Sequence, residues 1–174
     1  QLKRSKVLVV GCGGLASSVL PYLAAAGVGE ITLMDDDVVS LSNLNRQVVF
    51  TPNDIGFNKA IIAKQHLQAQ NPELSITAIP QKFNLESGFE FVRSHDIVLD
   101  CCDNYQSKVM INYCCIQNKT PFVFASVLGW DGQVALLSMC DNHAPCYKCW
   151  QELAPQNEVN CGISGVLGAA VNMV

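Results

Sequence analysis

Three clusters in this sequence have residue types and spacings suited to nucleotide chemistry. Gly11-Cys12-Gly13-Gly14-Leu15-Ala16 fits G-x-G-x-x-G/A, with Ala16 in the third position. Glycines there permit a tight turn and let phosphate oxygens approach backbone N–H groups at the positive end of a helix. The motif gains weight because an apolar strand precedes it and a helix follows it. Asp35 comes about 24 residues after Gly11, near the ~20 residues typical of a ribose-binding carboxylate. Asp36 and Asp37 follow at once, and three adjacent carboxylates repel unless cations are near.

Past that acidic run stand Asn43, Arg46 and Lys59. Taken singly, an arginine or lysine is a solvated surface charge. Beside a phosphate site, the two would neutralise charge that builds up when a phosphate is attacked. Hydride transfer has no use for such a group. The third cluster is Asp100-Cys101-Cys102-Asp103-Asn104. One of its carboxylates suits Mg²⁺, while Asp103 or Asn104 would cap the next helix.

Cysteine chemistry is a separate matter. The nine cysteines are an odd number and include two adjacent pairs, Cys101-Cys102 and Cys114-Cys115, so a disulfide framework is not expected. A reducing, cytoplasmic compartment fits this usage. Cys146-Tyr147-Lys148-Cys149 is one C-x-x-C, half of the four ligands a structural zinc needs. It follows Pro145 and reads as part of a late loop. Cys161, alone in the polar segment NEVNCGISG, is a candidate nucleophile.

These residues need elements to hold them. Val7–Val10 reads as a strand buried on both faces. Leu15 to Ala26 follows as a helix, with Pro21 a local distortion and Gly27 and Gly29 ending it. The expected order continues with strand Glu30–Met34, helix Asn58–Gln70 and strand Ser75–Ile79. Helix Ser87–Ser94, strand Ile97–Leu99, helix Tyr105–Asn118 and strand Phe122–Val127 come next. A hairpin turn at Gly129-Trp130-Asp131-Gly132 leads to an antiparallel strand, Gln133–Met139. Repeated βα units specify a Rossmann-like α/β fold. It has a mostly parallel sheet, helices on both faces and an antiparallel extension after the fifth strand. Ligands bind such sheets at the carboxyl ends of the strands, where all three clusters fall.

The 174 residues suit one domain, residues 1–174. The apolar run GVLGAAVNMV at the end and the strand so near the start read as truncation at both ends. A hydrophobic content of 49% with 15% charged residues is globular, and a net charge of −4 argues against nucleic acid as partner. No apolar run has the length of a membrane span.

The segments VLVVGCGGLA, YLAAAGVGEITLMDDDVVSLSNLNRQ, DIGFNKA, NPELSITA, VLDCCDN, PCYKCW and NCGISGVLG occur in an order that resembles the ThiF/MoeB (HesA) family of adenylyltransferases. These enzymes are relatives of the ubiquitin-activating enzymes. SNLNRQ together with LDCCDN is far more specific than the glycine turn. The resemblance implies that ATP is attacked at its α-phosphate by the C-terminal carboxylate of a ThiS- or MoaD-like ubiquitin-fold sulfur carrier. The products are an acyl-adenylate and pyrophosphate, in a pathway such as thiamine or molybdopterin biosynthesis. Gly11, Gly13 and Gly14 would form the floor, Asp35 would bind the ribose, and Asn43, Arg46 and Lys59 would hold the phosphates. Asp103 would bind Mg²⁺, Cys161 would join covalently to the carrier or its sulfur, and Cys146 and Cys149 would supply half of a zinc site. The family works as homodimers. Ala16 in place of the third glycine is a departure, and no second C-x-x-C lies within these residues. Three rival readings are adenylation of a non-protein carboxylate, an NAD-dependent oxidoreductase and a non-catalytic scaffold. The oxidoreductase would leave Arg46, Lys59 and Asp103 idle.

Overall fold

The computed structural model describes residues 1–138 and 145–153. Its centre is a six-stranded sheet in the order β3-β2-β1-β4-β5-β6. The strands are β1 (Lys6–Val10), β2 (Glu30–Met34), β3 (Ser75–Ile79), β4 (Ile97–Asp100), β5 (Phe122–Leu128) and β6 (Asp131–Leu137). All neighbours run parallel except β5 and β6, which pair antiparallel from Phe122↔Leu137 to Leu128↔Asp131. The expected Rossmann-like sheet with its antiparallel extension is what the chain forms.

Period-two alternation sorts the strand side chains onto two faces. Val7, Val9, Ile31 and Leu33 enter one core, together with Ala16 and Leu20 of α1 (Gly14–Ala26) and Ala63 and Leu67 of α2 (Lys59–Gln70). Leu8, Val10, Met34, Val98, Phe122 and Phe124 enter the other. That side holds Val92 of α3 (Leu85–Arg93), Ile111, Cys114 and Cys115 of α4 (Tyr105–Asn118) and Tyr147 of α5 (Tyr147–Leu153). Because β1 is buried on both faces, it reads as an uninterrupted apolar run.

Several boundaries differ from the sequence expectation for identifiable reasons. Helix α1 runs through Pro21. Helix α3 begins at Leu85 because Asn84, and not a serine, caps it, its Oδ1 accepting the Ser87 N–H at 3.0 Å. The hairpin turn is tighter than expected. Leu128 pairs directly with Asp131, so only Gly129 and Trp130 turn the chain, and Gly129 takes a φ of +58° that an L side chain resists. The segment Cys146–Cys149 is not a loop. Cys146 immediately precedes α5, and Trp150 N–H closes the first turn onto the Cys146 carbonyl at 3.0 Å. Tyr147 explains this placement: its N–H donates to Asn112 Oδ1 at 2.9 Å, and its ring packs edge-on to Phe124. Among the described residues, no helix is long and apolar enough to cross a membrane.

Candidate active site

The strand order reverses between β1 and β4, and a cleft of about 290 Å³ opens at the carboxyl ends there. Gly11, Gly13 and Gly14 form one wall. Gly11 has a φ of +91°, and a Cβ on it would lie 2.8 Å from the Cys101 carbonyl oxygen. The turns after β1 and β4 therefore approach more closely than any side chain allows.

Asp35 joins this turn to β2. Its Oδ2 accepts the Cys12 N–H at 2.6 Å, and its Oδ1 accepts the Asp37 N–H at 2.8 Å. Burial pushes the Asp35 carboxyl up from the ordinary carboxylate range, against the pull of these two N–H groups. Lys59 sits at the start of α2, which Asn58 caps through the Ile61 N–H. Its ammonium is buried and lies 2.8 Å from Asp37 Oδ2. Asp37 is thus a partner of Lys59 and not merely a solvated carboxylate.

Arg46 comes from the long connection between β2 and α2. Its Nη1 donates to the Ser42 carbonyl and to Asn45 Oδ1, each at 3.1 Å. Beside it, Gln47 is 4% exposed, and its Oε1 is buried without a partner, an orphan acceptor on the cleft wall. Asn43 is the exception among the expected phosphate ligands. Its Oδ1 accepts the Ser40 N–H at 3.4 Å and closes a short 3-10 turn, and the residue lies outside the cleft lining.

The two carboxylates after β4 have separate roles. Asp100 is fully buried, so its carboxyl is pushed up, while Lys108, 3.1 Å away, pulls it down. Asp103 is exposed and lines the cleft. Asn104 caps α4 through the Ser107 N–H at 2.9 Å, which leaves Asp103 free of that role. Among the described residues, the Asp103 carboxylate has no hydrogen-bond or ion-pair partner. A free carboxylate on the wall of this cleft fits a hard divalent cation.

The thiols near the cleft are poor nucleophiles. Burial holds the Cys101 thiol up at about 12 and the Cys12 and Cys102 thiols well above the ordinary value. Cys146 and Cys149 stand away from the cleft lining with their sulfurs 3.7 Å apart. A tetrahedral zinc with Zn–S bonds near 2.3 Å separates its sulfurs by about 3.8 Å. The pair therefore fits one edge of a zinc site. Cys161 lies outside the described residues.

Sequence reasoning passed over Gln81, Lys82 and Phe83, which follow β3 and line the cleft; the rule that sites gather at carboxyl ends would have found them. Ser126 and Val127, near the carboxyl end of β5, lie on the edge where that rule puts the ligand. Gln47 stood within SNLNRQ, but nothing in its type marks a buried orphan. Lys108 gave no local signal, because its partner Asp100 belongs to a different element.

A glycine turn, an acidic β2 end and a basic pair at the switch point of a mostly parallel sheet mark a Rossmann-like α/β protein. Similarity to known proteins narrows the class. The ThiF family model matches residues 1–174. The sulfur carrier protein ThiS adenylyltransferase of Escherichia coli is 39% identical over 174 residues, covering 100% of this chain and 69% of its own length. The adenylyltransferase and sulfurtransferase UBA4 of Kluyveromyces lactis is 39% identical over 176 residues, which are 39% of that protein. Among solved structures, Escherichia coli MccB with ATP superposes with a TM-score of 0.82 at 27% identity, covering 99% of this chain and 52% of that one. This chain belongs to the ThiF family. It spans about two-fifths of the UBA4 relatives and about two-thirds of the bacterial carrier adenylyltransferases.

Proposed function

We propose that the full protein is an ATP-dependent adenylyltransferase that activates the C-terminal carboxylate of a ThiS- or MoaD-like sulfur carrier. The observation that carries this reading is the convergence of Gly11, Gly13, Gly14, Asp35, Arg46, Lys59 and Asp103 on one cleft at the switch point. The glycine turn offers backbone N–H groups to phosphate oxygens, and Asp35 keeps acceptor lone pairs for a ribose hydroxyl. Gln47 Oε1, buried without a partner, gains a donor when ligand enters. Arg46 and Lys59 hold the phosphates, and Asn43 acts indirectly by shaping the turn that carries Arg46.

In the reaction, a carboxylate oxygen of the carrier bonds to the α-phosphorus of ATP, and the bond from that phosphorus to the bridging oxygen breaks. Pyrophosphate leaves with the electron pair. Asp103 would hold Mg²⁺, which supplies charge neutralisation on the phosphate oxygens. Cys146 and Cys149 would hold zinc together with two further ligands. Cys161 acts after activation: its thiolate bonds to the acyl carbon of the carrier adenylate, the bond from that carbon to the phosphate oxygen breaks, and AMP leaves with the electron pair. A homodimer and a reducing, cytoplasmic setting complete the reading; the buried free thiols Cys12, Cys114 and Cys115 suit the latter.

The relatives' names favour a carrier protein over another carboxylate, because carrier adenylyltransferases are nearer in sequence than MccB. The test is ATP–pyrophosphate exchange by the full-length protein with ThiS-like and MoaD-like carriers. Carrier-dependent exchange is expected, with Asp103→Asn slower by roughly 10²–10⁴-fold in a folded protein. NAD binding with no exchange for any carrier would overturn the reading.

A further inference from the structure

Lys108 on α4 is a buried charged group to which the proposed adenylation reaction assigns no role. Its ammonium donates to Asp100 Oδ2 at 3.1 Å and to the Ala125 carbonyl at 2.7 Å. The side chains of Lys108 and Asp100 are 5% and 0% exposed. Asp100 Oδ1 in turn accepts the Cys102 N–H at 3.0 Å. One ion pair thus links the end of β4, the first turns of α4 and the middle of β5. The Cys101–Asn104 turn that it holds carries Asp103, and the Cys101 N–H reaches the Val10 carbonyl at 2.8 Å beside the glycine turn.

A buried ion pair is weak evidence for stability, because apolar side chains of the same volume fill the space as well. What an ion pair adds is direction. An ammonium offers three donors and a carboxylate accepts along fixed lone pairs, so the groups they join hold one geometry. Here the geometry is that of the turn. Replacing both partners by apolar side chains would leave the Cys102 N–H without its acceptor, and replacing Lys108 alone would remove the tie from Asp100 to the Ala125 carbonyl. Lys108 and Ser126 both line the cleft, so the strut lies directly behind the reacting groups.

We infer that Lys108 is a positioning residue that fixes the Cys101–Asn104 turn, and with it Asp103, against β5. Its effect on rate rests on the adenylation reading; its effect on the turn does not. The experiment uses the full-length protein with Lys108→Met and Lys108→Arg, read by amide hydrogen exchange and by ATP–pyrophosphate exchange. In Lys108→Met, the Cys101 and Cys102 amides are expected to exchange at least ~10-fold faster while β1 and β2 amides stay unchanged. The kcat is expected to fall roughly 10–100-fold with KM for ATP within about threefold. Lys108→Arg keeps the charge and N–H donors but must seat a longer, planar head in the same buried space, so both readouts should fall between those of the parent and Lys108→Met. If Lys108→Met does not fold, Asp100→Asn/Lys108→Met removes both charges and keeps an acceptor for Cys102 N–H. That variant should fold yet remain slow, because the tie to Ala125 is gone. Unchanged turn amides, an equal loosening of the whole sheet, or a normal rate in the double variant would overturn the proposal. A parent protein that exchanges no pyrophosphate would sink the adenylation reading, while the amide data would still decide the role of Lys108.

Discussion

Asp35 Oδ2 accepts the backbone N–H of Cys12 at 2.6 Å, so the acid at the end of β2 holds the glycine turn at the end of β1. A residue expected to bind ribose therefore also shapes the turn expected to cradle phosphate. Asp35→Ala is expected to weaken ATP binding by roughly 10–100-fold, since one or two charge-assisted hydrogen bonds are lost and the turn loosens. Asp35→Asn keeps an acceptor toward one N–H and should lose less. Calorimetric titration with ATP checks the order; equal affinities in all three proteins would remove Asp35 from the site.

The ion pair between Lys59 and Asp37 sets up a competition. With Asp37 Oδ2 at 2.8 Å, the ammonium must be shared with any arriving phosphate. Asp37→Asn removes that competitor and is expected to leave ATP binding equal or a few-fold tighter, whereas Lys59→Met should weaken it by at least ~10-fold. Parallel titrations at low and moderate salt provide the measurement. A large loss in Asp37→Asn would mean that the pair serves to position Lys59.

For Cys161, the expected outcome is a separation of steps. Cys161→Ala should support pyrophosphate exchange within about threefold of the parent, because the proposed role of the thiol begins only after the adenylate forms. Intact-mass spectrometry after incubation with ATP and carrier should show a covalent adduct in the parent and none in the variant. The high-lying thiols of Cys101 and Cys102 make poor substitutes.

The spacing of Cys146 and Cys149, 3.7 Å between sulfurs, predicts a metal signature. The full-length protein should hold about one zinc per chain, and Cys146→Ser/Cys149→Ser should hold none. Elemental analysis after dialysis gives the count. Because α5 is anchored by Asn112 and Phe124, the variant should keep its near-ultraviolet signal for Trp150 even without metal. Zinc retained by the double serine variant would assign the metal elsewhere.

Asp54 gives a pH dependence with a definite sign. Burial pushes its carboxyl up, but the N–H and hydroxyl of Thr51, at 2.7 and 2.8 Å, and the nearby His66 outweigh burial, and the net direction is down. A carboxylate lowered on folding contributes its full stability above the ordinary carboxylate pKa near 4 and loses it as pH falls through the folded value. Asp54→Ala should therefore cost about 1–2 kcal/mol near neutral pH, through the lost cap, and little in strong acid. Melting curves across pH 3 to 7 should converge at the acid end; a constant gap would place the effect in packing.

Much of the fold was legible in the chain because it is written in local patterns. The apolar run Val7–Val10, the glycine turn and the alternation of βα units each depend on residues within a few positions of one another. The strands Glu30–Met34 and Ser75–Ile79 and the helix Tyr105–Asn118 fall where those patterns put them. That Asp35, Arg46, Lys59 and Asp103 would gather at one sheet edge was legible for the same reason, since each follows a strand end or sits in a compact motif. Boundaries set by a single capping hydrogen bond, such as Asn84 for α3, were not, because several nearby residue types could have served.

What only the tertiary structure decided are relationships between distant elements. Lys59 meets Asp37 across the whole β2–α2 connection, and Lys108 meets both Asp100 and the β5 backbone. Gln47 becomes a buried orphan only when the connection folds over the glycine turn. Asn43 turns inward to its own 3-10 turn, and the C-x-x-C becomes the start of a helix because Tyr147 finds Asn112 and Phe124. Sequence spacing reports along the chain, whereas burial and ion pairing depend on which elements pack together, and that is settled only when both faces of the sheet are covered.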